Sequence, residues 1–163
     1  MEEEQLALRQ RALVRMMGLC ARREWAASDL VAKLQKMELS PQSIAWVMEQ
    51  LQRENYQSDL RYAVAFSRDK ARLSAWGARK IAFALRQKGI DAEVIREAWA
   101  EVDEPEAQKR MATALDAKWA ALERQGKAGD DQYRRLVAYA TQRGYGWEEV
   151  QEYWKEKQNN RKV

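Results

Sequence analysis

Apolar residues recur three and four positions apart along most of the chain, which is the spacing of one face of a helix. The pattern also repeats at long range. Leu30, Leu34, Leu39, Ile44 and Met48 correspond to Ile81, Leu85, Ile90, Ile95 and Trp99 at a shift of 51 residues. A further shift of 55 carries them onto Leu136, Ala140, Tyr145, Val150 and Trp154. A fixed period of this size predicts tandem units that each fail to bury their apolar face alone and stack into an elongated array. Sustained alternation and hairpin turns are absent, so the predicted class is all-α.

Start and stop signals divide each copy into three helices. The first copy (residues 1–57) predicts helices near 5–23, 27–37 and 41–54, the last opened by the Ser40-Pro41 cap-and-start pair. The second (58–103) predicts helices near 58–72, 76–88 and 92–102, with Gly89 ending the middle one and Asp91 capping the next. The third (104–163) predicts helices near 105–124, 131–143 and 147–158. Asp103 precedes Pro105 there, and Gly144 takes the place of Gly89. Gly126 and Gly129 bracket a loosened turn that accounts for the longer second spacing, and the polar tail from Gln158 is expected to fray. The last two helices of each copy make a helix-turn-helix-like corner, marked by Ser40, Asp91 and Gly146. Trp25 and Trp76 also correspond, and Trp46, Trp99, Trp119 and Trp154 fall on apolar helical positions, where packing within and between units is expected.

Composition narrows the chemistry. The 163 residues contain no histidine, which removes the commonest general base and metal ligand. Cys20 is the only cysteine, so an internal disulfide and a structural zinc site are excluded. No phosphate loop or nucleotide fingerprint occurs. An enzyme is therefore not expected, nor a cofactor, a metal or a small-molecule substrate. An acidic start, a single cysteine and no apolar run of membrane-spanning length predict a cytoplasmic protein without a membrane partner.

Charge singles out the middle copy. The chain carries a net charge of +4, yet Ser58–Gly89 alone holds eight basic residues against Asp59 and Asp69. Arg61, Arg68 and Arg72 are spaced seven and four apart and share one helical stripe, while Ala63 and Phe66 point toward a core. In the next helix Arg79, Phe83 and Arg86 share a face, and Ile81 and Leu85 take the core side. With Lys80 and Lys88 these residues form the candidate partner-binding surface. Phe83 has three readings: a protein hot spot, a stacking platform for a base, or a contact with the adjoining repeat. Smaller basic groups at Arg9, Arg11 and Arg15, at Arg22 and Arg23, and at Arg134 and Arg135 are expected to matter less, most lying near acidic residues.

The stretch Asn55-Tyr56-Gln57-Ser58-Asp59 leads into Arg61-Tyr62-Ala63, followed by Trp76-Gly77-Ala78-Arg79-Lys80-Ile81 and Leu85-Arg86-Gln87-Lys88-Gly89-Ile90. In order and spacing this resembles the central signature of the RecX family, bacterial modulators of the RecA recombinase. Arg143-Gly144-Tyr145, with Val150 and Trp154, is similar to that family's last repeat, and Leu30 to Leu34 to its first. The resemblance spans roughly residues 10–157. Three departures stand out. Gln57-Ser58 replaces a usual Leu-Asp, Ala78 stands where proline is common, and Ala26 stands where a capping serine is usual.

The resemblance implies three tandem three-helix repeats forming a curved rod. It also implies a protein that binds the RecA filament on single-stranded DNA, inhibits ATP hydrolysis and strand exchange, and limits filament growth; a monomer is expected. Weak direct contact with DNA is compatible with it. A stand-alone helix-turn-helix-like DNA-binding protein is the alternative that the basic stripe allows.

Overall fold

The computed structural model describes residues 2–161. Among the described residues every regular element is a helix, in the order α1 (Glu2–Arg22), α2 (Ala27–Lys36), α3 (Pro41–Arg53), α4 (Asp59–Leu73), α5 (Ala78–Gln87), α6 (Ala92–Ala100), α7 (Glu104–Arg124), α8 (Gly129–Arg143) and α9 (Trp147–Arg161). The positions that repeat in sequence are the core positions. All are buried except Ile44, Trp99 and Trp154, which are half-buried.

The chain divides into two compact units. Among the described residues, one contains residues 2–65 together with Leu85–Ala98; the other contains Phe66–Ala84 and residues 99–161. The core of the first is built on Met16, Leu30, Leu34, Val47 and Leu51. That of the second is built on Leu115, Trp119, Leu122, Leu136 and Tyr145, with Trp154 packed 5.2 Å from Trp119.

Local capping explains several helix starts. Ser40 accepts the Ser43 N–H (3.1 Å) with Pro41 in the first turn, and Asp103 accepts that of Glu106 (3.1 Å). Gly146 and Glu149 close a cap on α9, the carboxylate accepting the Gly146 N–H at 3.0 Å. Where the sequence lacks a cap, a distant group supplies it. Ala26 offers no side-chain acceptor, and the Asp59 carboxylate takes the first free amide of α2, that of Ala27, at 2.9 Å. Gln57 is buried beside it. Its amide donates to the Trp25 carbonyl and to Asp59, and its carbonyl accepts from Gln52. The departure at Gln57-Ser58-Asp59 is thus a saturated polar junction, and Ser58 caps α4 through the Arg61 N–H.

The start of α5 is solved the same way in the second unit. The expectation placed it near 76; it begins at Ala78 because the preceding backbone is committed elsewhere. The N–H groups of Gly77 and Arg79 donate to the carbonyls of Arg143 and Gly144 at 2.7 and 3.1 Å. Orphan amides of one helix start meet orphan carbonyls of another helix end, so each removes the other's unpaired groups. The approach is so close that a Cβ on Gly77 would lie 2.3 Å from the Gly144 oxygen. Gly144 itself has φ +87° and faces the backbone of Lys80. Around this contact Arg143 donates to the Ser74 carbonyl at 2.7 Å, and the Tyr145 hydroxyl donates to the Ala75 carbonyl. In the first unit the end of α5 meets the start of α2 in a related way, with Ser28 Oγ donating to the Lys88 carbonyl at 2.6 Å and the Lys88 ammonium on Asp29 at 2.9 Å.

The tail departs from expectation. Instead of fraying at Gln158, α9 runs to Arg161, whose guanidinium pairs with Glu123 at 2.5 Å and lies 4.8 Å from the Trp119 ring.

Replacing Gly77 with alanine should cost about 1–3 kcal/mol of stability, because backbone atoms and not a flexible side chain stand in the way. Urea denaturation checks this. A second outcome concerns alkaline pH. Burial pushes the Tyr145 hydroxyl up to about 12, whereas an unfolded tyrosine titrates near 10. Only the neutral hydroxyl can donate to Ala75, so its contribution is complete below about pH 10 and lost as pH rises toward 12. Tyr145→Phe should lower stability at neutral pH and flatten the decline between those values, read from denaturation midpoints across the range.

Candidate partner-binding surface

The helices α4 and α5 carry the basic residues singled out in sequence, and their surroundings sort them into three kinds. Arg61 and Lys88 belong to the first unit and are tied to it. The Arg61 Nε lies 3.1 Å from Glu24 Oε1, and its Nη2 donates to the Asn55 carbonyl at 2.7 Å. The second Glu24 oxygen is buried without a partner among the described residues, so Arg61 supplies that carboxylate's counter-charge. Lys88 is held on Asp29; that hydrogen bond raises its pKa against the opposing effect of burial. Both side chains are structural ties, although the sequence groups them with the candidate partner-binding cations.

Lys80 and Arg68 are intermediate. Both lie in the second unit. The Lys80 ammonium sits 4.4 Å from the Trp76 ring, which the Lys70 ammonium also approaches at 4.7 Å. Its stem lines the close contact with Gly144. Arg68 donates to the Glu101 carbonyl at 3.1 Å and reaches that residue's carboxylate at 3.5 Å. Both partners are more than half exposed, so the pair holds little energy.

Arg72, Arg79 and Arg86 are exposed, and no carboxylate lies within ion-pair distance of any of them among the described residues. Arg72 and Arg79 lie in the second unit, and Arg86 lies in the first. Arg72 shares a cleft of about 420 Å³ with Arg68 and Arg110, floored by Ala71, Val102 and Ala107 and edged by Glu101, Asp103 and Glu106. Phe83, also in the second unit, is 59% exposed, which removes the reading that packs it against an adjoining repeat. The predicted core side of α5 is correct: Ile81 and Leu85 are buried, as is Ala63 on α4, while Phe66 packs edge-on to Trp76.

Among the described residues no group of three or more metal-ligating side chains comes together, and no helix is long and apolar enough to cross a membrane.

Relatives carry the same helices. The second three-helix domain of RecX matches residues 58–98. The regulatory protein RecX of Prosthecochloris aestuarii is 30% identical over 138 residues, spanning 83% of this chain and 85% of that protein. That of Chromohalobacter salexigens is 33% identical over 133 residues, 81% and 83% of the two chains. The chain belongs to the RecX family of regulatory proteins. The fold is shared beyond detectable sequence likeness. The crystal structure of RecX from Lactobacillus salivarius matches with a TM-score of 0.81 over 93% of this chain and 97% of that one at 14% identity. A second RecX crystal structure matches at 0.77 over 91% of this chain and 72% of that one, with 18% identity. The RecX-like signature therefore reflects a true relationship, and its departures at Ala26, Gln57 and Ala78 coincide with the long-range contacts described above.

Substituting Arg61 with alanine should cost about 1 kcal/mol after allowance for solvent screening of a partly exposed pair, because it strands Glu24. That corresponds to a fall of about 2–4 °C in Tm. Arg79→Ala and Phe83→Ala should each stay within about 0.5 kcal/mol of the parent, since their side chains support nothing internal. Thermal unfolding of the three variants separates structural cations from free ones.

Proposed function

We propose that this protein is a non-catalytic modulator of the RecA recombinase. It binds the RecA filament on single-stranded DNA as a monomer in the cytoplasm, suppresses ATP hydrolysis and strand exchange, and limits filament growth. Membership of the RecX family supports the regulatory part of this reading. The observation that carries the surface assignment is Phe83. A large aromatic 59% exposed on α5, on the same helical face as the unpaired Arg79, contributes nothing to the fold. Aromatic and arginine side chains are the types that dominate protein interfaces, because they bury large area or form directed hydrogen bonds on binding.

The mechanism needs no chemistry by this chain. Arg68, Arg72 and Arg79 complement acidic surface on the filament and set the encounter rate and register. Phe83 provides the desolvated anchor that sets the dissociation rate. A bound modulator inhibits by occupying filament surface that nucleotide turnover and strand exchange require to move. The internally tied Arg61 and Lys88 shape the surface without touching the partner.

Reversing charge at Arg68, Arg72 and Arg79 together should weaken inhibition of RecA's DNA-dependent ATPase at least tenfold, about 1.4 kcal/mol. Circular dichroism and Tm should be preserved. Phe83→Ala alone should raise the half-inhibitory concentration by a similar factor. Undiminished potency in the folded triple variant would show that the partner is held elsewhere.

A further inference from the structure

We infer that α1 carries a separate site for the phosphodiester backbone of nucleic acid, built from Arg11, Arg15 and Arg22 around Gly18. Between Gln5 and Arg23 the sequence has five arginines and no acidic residue. The structure divides these five. The Arg9 guanidinium lies 4.1 Å from the Trp46 ring, and that of Arg23 lies 3.6 Å from the Trp25 ring. Arg11, Arg15 and Arg22 are exposed, and each lacks a carboxylate or aromatic partner among the described residues. Proximity to acidic residues in sequence therefore does not neutralise them. The core side of α1 is held by Ala12 and Met16, about a third of the helical circumference away.

Gly18 is the second and independent observation. It falls between Arg15 and Arg22 on the same face, since residues 11, 15, 18 and 22 follow the four-three-four spacing of one helical stripe. It is exposed within a 21-residue helix, and a Cβ there would meet nothing within 4 Å. Packing within the chain therefore does not require a glycine, and glycine in a helix interior destabilises it through backbone entropy. A bare patch of backbone flanked by arginines is what close approach of an external chain needs.

The geometry favours a regularly charged polymer. Along the helix axis the arginines stand about 6 Å and 10.5 Å apart, at 1.5 Å per residue. A nucleic-acid strand carries one phosphate per about 3.4 Å of axial rise, and more than that through space, so several phosphates of one chain fall within reach of these long guanidinium side chains. Guanidinium groups bind phosphate through paired N–H donors. The neighbouring exposed side chains are Ala7, Val14 and Ala21. No aromatic is available for stacking on a base, so binding is to the backbone and independent of sequence. This site goes beyond the filament-binding reading, and its test contains no RecA.

The experiment measures fluorescence anisotropy of labelled oligo(dT) and of a mixed-sequence duplex with the full chain across a salt series. The parent should bind both, with affinity falling linearly in the logarithm of salt. Arg11→Gln, Arg15→Gln and Arg22→Gln together should lower affinity at least tenfold at low salt and reduce the duplex slope by about 3. Gly18→Ala should raise Tm yet weaken binding at least threefold, a combination that a purely structural glycine would not give. Arg15→Gln alone, with a smaller loss and an unchanged Tm, covers the case of a poorly folded triple variant. Three results would overturn the assignment: no binding by the parent at low salt, unchanged binding after the arginine substitutions, or displacement of oligo(dT) by polyglutamate at equal charge. The last would make the face a site for an acidic protein.

Discussion

The structure depends on one exchange of hydrogen bonds between helix ends. Gly77 and Arg79 give their amides to Arg143 and Gly144, and a proline or serine cap at α5 becomes unnecessary. Neither helix end could be buried otherwise, because unpaired backbone groups away from water cost about as much as a lost hydrogen bond. The exchange requires that Gly77 have no Cβ and that Gly144 hold a left-handed backbone. It also positions α5, since Arg79 is itself one of the amide donors and Lys80 packs against Gly144. The exposed side chain of Arg79 is therefore carried on backbone that is fixed at its first turn. A related contact, Ser28 and Asp29 with Lys88, serves the first unit. Each compact unit thus contains one docking of a helix end onto a helix start, and the helices of the middle copy contribute to both.

Residues of one type on one stripe have different tasks because their surroundings differ. Arg61 lies beside a carboxylate with one oxygen already buried, where loss of the counter-charge is costly. Arg68 has a carboxylate too, but water competes for both groups and the net attraction is small. Arg72 has none. A helical wheel treats all three as equivalent. The distinction comes from Glu24 and Glu101, which lie 37 and 33 residues away in sequence from their partners.

Helix number, helix order and the core columns followed from apolar period, and the ends followed wherever the cap was local, as at Ser40 and Asp103. The start of α5 was misplaced by two residues because its cap comes from Gly144, 65 positions beyond Arg79 and invisible to any local rule. The tail was read as frayed because it is polar, whereas Arg161 is held by Glu123 and Trp119 across the unit. The exposed face of α5 was legible, since Phe83 cannot share the side taken by Ile81 and Leu85. Sequence proximity to acidic residues predicts little role for the arginines of α1, and the structure shows why that inference fails. Glu2, Glu3, Glu4 and Glu24 are neighbours in the chain, but Glu24 spends its charge on Arg61, and no carboxylate reaches Arg11, Arg15 or Arg22.

Uncompensated charge is itself informative. A chain selected only for stability would pair Arg72 and Arg79 with i,i+4 carboxylates, as it does for Arg53 with Glu49 and Arg110 with Glu106, since such pairs are favourable even when small. It would also replace an exposed glycine in mid-helix and an exposed phenylalanine. The chain holds paired and unpaired arginines side by side, so the absence of partners at Arg72, Arg79, Arg11, Arg15 and Arg22 is selective and not a general excess of basic charge. Self-repulsion and exposed apolar area are tolerated on folding when a partner removes them on binding. Arg79 with Phe83 on α5 combines charge with an aromatic anchor, as a protein surface requires. On α1 the charge flanks bare backbone and has no aromatic, as a phosphate chain requires. The two faces are chemically distinct, and the proposed binding of a nucleoprotein filament would give each of them a use.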